Sequence, residues 1–125
     1  MAAESSQPDD RFARGKADLP AADILLNNQG DPQVAAALVQ QGVEKYLKGW
    51  LLSRGWRPAK VHDLQRLLDD AVVYDKRLAR HYRLCEKLTA FYFVDRYPFI
   101  VKPPDPGAVK DMLAEALKFV AELKP

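Results

Sequence analysis

Arg77 and His81 stand four residues apart in "YDKRLARHYRLCEK", residues 74–87. Together they hold the parts of a metal-independent phosphodiester cleavage. A guanidinium can balance the charge that grows on a phosphate, and an imidazole can exchange the proton of an attacking 2′-hydroxyl. Around them Lys76, Arg80, Arg83 and Lys87 fall at spacings of four, three and four, which on an α-helix makes one basic stripe. With Tyr82 nearby, such a stripe can meet phosphates and stack bases. Taken alone, it reads first as a solvated helix face, and His81 as a packing histidine on the apolar seam Tyr74, Leu78, His81, Cys85, Leu88 and Tyr92.

A second polar pattern lies in "QQGVEKYLKGWLLSRGWRPAKVHDL", residues 40–64. Gln40, Glu44 and Lys48 are four apart, with Gln41 and Lys45 alongside, so all five share one stripe. The ordinary meaning is again a wet face, with a Glu44–Lys48 pair worth a few tenths of a kcal/mol. His62 and Asp63 then open another helix, whose dipole favours the aspartate. In "FYFVDRYPF", residues 91–99, aromatic rings crowd around Arg96 and Tyr97. Arg96 either bonds free carbonyls at a helix end or faces a groove and binds an anion.

Other chemistry is missing from the sequence. Its glycines form neither G-x-G-x-x-G nor a P-loop. Two histidines and one cysteine do not make a structural zinc site, and no serine has a nucleophile-elbow context. The expectation is a protein with no cofactor and no metal, unlike an ordinary small-molecule enzyme.

The elements that must position these groups read as helices throughout. Residues 1–10 are polar and acidic and read as a disordered N-terminal tail; 11–125 read as one bundle domain. A first helix is expected from Arg11 to Asn28, with Pro20 either kinking it or starting its second half. Asp31 and Pro32 give a capped start to a second helix, reaching about Arg54 and ended by Gly55 and Pro58. Ala35, Gly42 and Gly49 recur every seven residues along it, inviting the close approach of a neighbouring backbone. A third helix spans about His62 to Val73, and a fourth, capped by Asp75, runs to about Val94. A proline-rich connection follows, and Asp105 with Pro106 starts the last helix. The fold class is therefore all-α, an antiparallel four- to five-helix bundle.

Size and composition agree. A chain of 125 residues, 48% of them apolar, can bury one core, and a net charge of +2 does not by itself imply nucleic-acid binding. The single cysteine, Cys85, fits a reducing compartment. There is no signal-peptide pattern and no apolar run near the roughly 20 residues that span a membrane, so the expected place is the cytoplasm.

Three segments in order resemble the HEPN family of small helical domains. They are "QGVEKYLKGWLLSRG", with Gln41, Glu44, Lys45, Leu47 and Lys48; "VHDL", with His62, Asp63 and Leu64; and Arg96, Tyr97 and Pro98 after the fourth helix. The resemblance covers about residues 17–124. It implies a HEPN-like bundle that pairs as a homodimer around a groove. It further implies a link to nucleotide or RNA biology, and for many members a minimal nucleotidyltransferase partner in a toxin–antitoxin-like pair. Gln41, Glu44, Lys45, Lys48, His62, Asp63, Arg96 and Tyr97 are then the candidates for nucleotide or partner binding. Ribonuclease members carry R-x4-6-H on a late helix. Here Arg77 and His81 enclose only three residues, while Arg57 and His62 enclose four but straddle a turn. The first expectation is thus a binding module without catalysis. The alternatives are a ribonuclease using Arg77 and His81, and a structural module that docks a partner through its aromatic end.

Overall fold

The computed structural model describes residues 8–57, 63–96 and 104–123, with backbone alone for 91–96. Five α-helices follow one another: α1 (Pro8–Asn27), α2 (Pro32–Ser53), α3 (Leu64–Tyr74), α4 (Tyr82–Arg96) and α5 (Pro106–Ala121). A 3-10 helix, Lys76–His81, joins α3 to α4. No strand occurs among the described residues. The all-α reading therefore holds. The fourth helix differs from expectation, because its first six residues wind as 3-10.

Short side chains set most of the boundaries. Asp31 accepts a hydrogen bond from the Gln33 N–H at 2.8 Å with Pro32 at the first helical position, and Asp105 accepts from Ala108 N–H at 3.2 Å ahead of Pro106. Each satisfies one of the donors that a helix start leaves over. Helix α2 stops in a Schellman turn. Gly55 N–H bonds Leu52 O, Trp56 N–H bonds Leu51 O, and Gly55 takes the φ of 86° that this turn requires. Pro20, expected to kink α1 or restart it, lies on its exposed side within one continuous helix.

Helices α1 and α2 form an antiparallel hairpin along a seam of alternating large and small residues. Phe12, Gly15, Leu19, Ala22 and Leu26 face Ala35, Val39, Gly42, Tyr46 and Gly49, all buried. A Cβ on Gly42 would stand 2.8 Å from Leu19 Cδ2, and one on Gly15 only 2.5 Å from Tyr46 Cδ2. A glycine inside a helix costs about 1 kcal/mol against alanine. The close packing of two helices offsets that cost here. The seam thus packs within one chain.

Helix α2 is the axis of the bundle. With α1 on one side and α3, α4 and α5 on the others, it is buried around most of its circumference. Val39, Val43, Leu47 and Leu51 reach zero exposure, and Leu64, Leu67, Leu68, Leu88, Val109, Ala116 and Phe119 close around them. Side chains that deep lose all solvent, and each large aliphatic one contributes about 1.5–3 kcal/mol relative to exposure.

Candidate functional site

The position of α2 decides the fate of its polar stripe. Gln40, Glu44 and Lys48 are 1%, 3% and 1% exposed. The wet-face reading of these three is corrected: their side of α2 is turned into the bundle. The Glu44 carboxylate meets Lys48 Nζ at 3.3 Å and half-buried Lys45 Nζ at 3.8 Å, and Gln40 Nε2 donates to its other oxygen at 3.3 Å. Charges so far from water are tolerated only because they are paired. Gln41, on the same stretch, is exposed. Asp63 is the N-cap of α3, accepting from Gln65 N–H at 3.0 Å, so its role in the structure is to begin a helix. Arg96 closes α4 with its backbone alone described, and His62 and Tyr97 lie outside the described residues.

The 3-10 helix separates Arg77 from His81. At three residues per turn, positions four apart point about 120° away from each other, against about 40° on an α-helix. Arg77 turns outward and forks onto Asp75, through Nε to Oδ1 at 3.1 Å and Nη2 to Oδ2 at 3.0 Å. That bond, with the Arg77 backbone N–H on the same carboxylate, holds Asp75 below the usual carboxylate range and raises Arg77. His81 turns inward and stacks on Phe119, with ring centroids 4.1 Å apart and planes 16° from parallel. Its Nε2 lies 2.7 Å from Glu122 Oε2, and the other Glu122 oxygen is bonded by Arg80.

Burial lowers the His81 pKa, and the neighbouring Arg80 charge lowers it further. The Glu122 carboxylate that faces its Nε2 is shared with Arg80. Tyr82 is held in a different way. Its hydroxyl donates to Asp69, and that bond pushes its pKa up to about 12. Burial similarly takes the Cys85 thiol up to about 12, with the Asp63 charge adding to it, so Cys85 is an inert core residue at neutral pH.

A cleft opens where α4 and α5 diverge. Both pack on α2 but meet each other only sparingly. The cavity measures about 280 Å³. Arg80, Arg83 and Lys87 enter it from the 3-10 helix and α4, and Lys118 and Glu115 from α5, over a base of His81 and Leu84. Four cationic side chains therefore line the cleft with Glu115, and one of them, Arg80, is already paired with Glu122. Of the basic stripe read from the sequence, Arg80, Arg83 and Lys87 meet here, while Lys76 belongs to the 3-10 turn and leaves the line.

Sequence reasoning missed the opposite wall. Asp111, Glu115, Lys118 and Glu122 have spacings of four, three and four. That repeats the periodicity of the basic stripe and marks one line of α5. Matching the two charged lines was the available signal. Among the described residues, no group of three or more His, Cys, Asp or Glu is placed to hold a metal ion, and no helix is long and apolar enough to cross a membrane.

The family model for the HEPN domain matches residues 9–124, nearly the whole chain. No match was found among curated proteins or solved structures. The chain belongs to the HEPN domain family.

Proposed function

We propose that this HEPN-domain protein is a binding module that takes up a nucleotide through its phosphates and works beside a nucleotidyltransferase partner. Its setting in this reading is a homodimer in the cytoplasm, in a toxin–antitoxin-like system, with residues 11–125 as the domain. The observation that carries the reading is the cleft in which Arg80, Arg83, Lys87 and Lys118 converge. Guanidinium and ammonium groups gathered around one cavity suit an anion with several charged oxygens, and a bidentate arginine adds direction to that attraction.

Binding without cleavage fits the same geometry. A general base must be free to reach the proton it removes. His81 is stacked against Phe119, held by Glu122 and pointed away from the direction of Arg77. Arg77 in turn is occupied by Asp75. The buried stripe Gln40, Glu44 and Lys48 acts in this reading as the brace that holds α2 in the bundle, with half-buried Lys45 paired to Glu44, while exposed Gln41 faces a partner.

Titration calorimetry with ATP, together with capture of a co-expressed nucleotidyltransferase, tests the proposal. Saturable binding of ATP at one site per chain that weakens with added salt is the expected result. Absence of both ATP binding and partner capture removes the reading. RNA cleavage in EDTA by the parent, lost in His81→Ala, would replace it with a ribonuclease.

A further inference from the structure

Arg80 stands between two cavities. It lines the cationic cleft, and it also borders a smaller cavity of about 180 Å³ with Asp75, Arg77 and Glu122. Its guanidinium bonds Glu122 Oε1, on the smaller side. Glu122 is the C-cap residue of α5, and its second oxygen lies 2.7 Å from His81 Nε2. One carboxylate thus serves two partners on the 3-10 helix, and both of those partners line the cleft. They differ in freedom. The imidazole is fixed by its stack on Phe119 and its side chain is 13% exposed. The Arg80 side chain is 58% exposed, and an ion pair so open to water is weak enough to exchange.

We propose that this cluster couples the cleft to pH: an oxyanion in the cleft draws Arg80 from Glu122, and the freed carboxylate then holds a protonated His81. The coupling rests on the phosphate-binding reading above and adds regulation to it. Its physical basis is charge balance. Burial of the ring and the charge of Arg80 beside it both favour neutral imidazole. An anion on Arg80 offsets that charge and leaves Glu122 facing His81 alone. Arg83 and Lys87 from α4, and Lys118 with Glu115 from α5, are the other charged groups around the ring. The three cations among them are balanced by the same anion. From α3, which packs on the 3-10 helix, Asp69 is taken by the Tyr82 hydroxyl of α4. Binding therefore takes up a proton, and by reciprocity a fall in pH tightens binding. The effect sets in as the pH falls below about 6.5, because His81 in the free protein titrates below its ordinary value.

The test is an NMR titration of the His81 ring proton against pH, in sulfate and in chloride of equal ionic strength. Sulfate is the probe because it is a tetrahedral dianion that does not itself titrate near neutral pH. The chain has two histidines, so His81→Phe assigns the signal, and His62→Gln does so should that variant fail to fold. Arginine side-chain N–H signals in the same samples report whether sulfate has entered the cleft. In sulfate the His81 midpoint should rise by at least about half a pH unit, equivalent to about threefold tighter sulfate binding at the acid end. Glu122→Gln keeps the size of the side chain without its charge, and there the rise should shrink to less than half. Arginine signals that respond while the His81 midpoint stays fixed overturn the coupling and leave phosphate binding in place. A full rise in Glu122→Gln overturns the exchange of partners. If neither arginine nor histidine signals respond to sulfate, the coupling falls, and ATP calorimetry decides separately whether phosphate binding falls with it.

Discussion

Two charged stripes with helical spacing meet opposite fates in this protein. On α2, Gln40, Glu44 and Lys48 are sealed from water. On the 3-10 helix and α4, Arg80, Arg83 and Lys87 stay exposed along a cleft. The spacing of residues does not distinguish them, since both repeat at three or four. What differs is the number of neighbours around each helix. Four other helices pack against α2, so most of its circumference is interior. The outer side of α4 has α5 beside it only loosely, and a trough remains. The same residue types therefore brace a core in one place and offer charge to a ligand in the other.

The largest effect should come from the buried stripe. Glu44→Ala leaves the Lys48 ammonium without its carboxylate in a site that water does not reach, and the loss should be about 3–5 kcal/mol of stability. Denaturant unfolding measures it. Nucleotide affinity per folded molecule should stay that of the parent, and a binding loss without a stability loss would erase the contrast. Arg83→Glu is the reciprocal test. Reversing a charge at the cleft should weaken ATP binding about tenfold to a hundredfold. Its stability should move within about 0.5 kcal/mol, as for other surface changes.

The smallest expected effect sharpens the comparison at the point where the cleft touches the core. His81 is held below its ordinary pKa by burial and by Arg80. The unfolded chain therefore binds the proton more readily than the folded one. Stability contributed by the neutral ring is complete above about pH 6.5 and is lost as the pH falls through that value towards the folded pKa. His81→Phe keeps a ring on Phe119 and removes the titration. Between about pH 7 and pH 5.5 its unfolding midpoint should fall less than that of the parent. Parallel curves would mean that His81 titrates alike in both states.

Much of the fold was legible because its signals are local. The caps at Asp31, Asp75 and Asp105 each act on a backbone N–H two or three residues away, so a short stretch of sequence holds both partners. The spacing of Ala35, Gly42 and Gly49 announced a close helix contact, and α1 supplies it. Its partner Gly15 went unread because one glycine in a helical stretch has no period. The site was less legible. Glu115 and Lys118 lie about thirty residues beyond Arg83 and Lys87 in the chain, and only the packing of α4 and α5 against α2 brings them opposite. The R-to-H pair was misplaced for a related reason, since a 3-10 helix in place of an α-helix alters direction without altering spacing.

The helices, most of their ends, the small-residue seam and the family stretch around Glu44, Lys45 and Lys48 can be read from local sequence, since these depend on neighbours along the chain. Which charges are wet follows from the packing of the helices. Burial depends on how many helices surround a given side, and that number is set by long-range packing that no local pattern encodes.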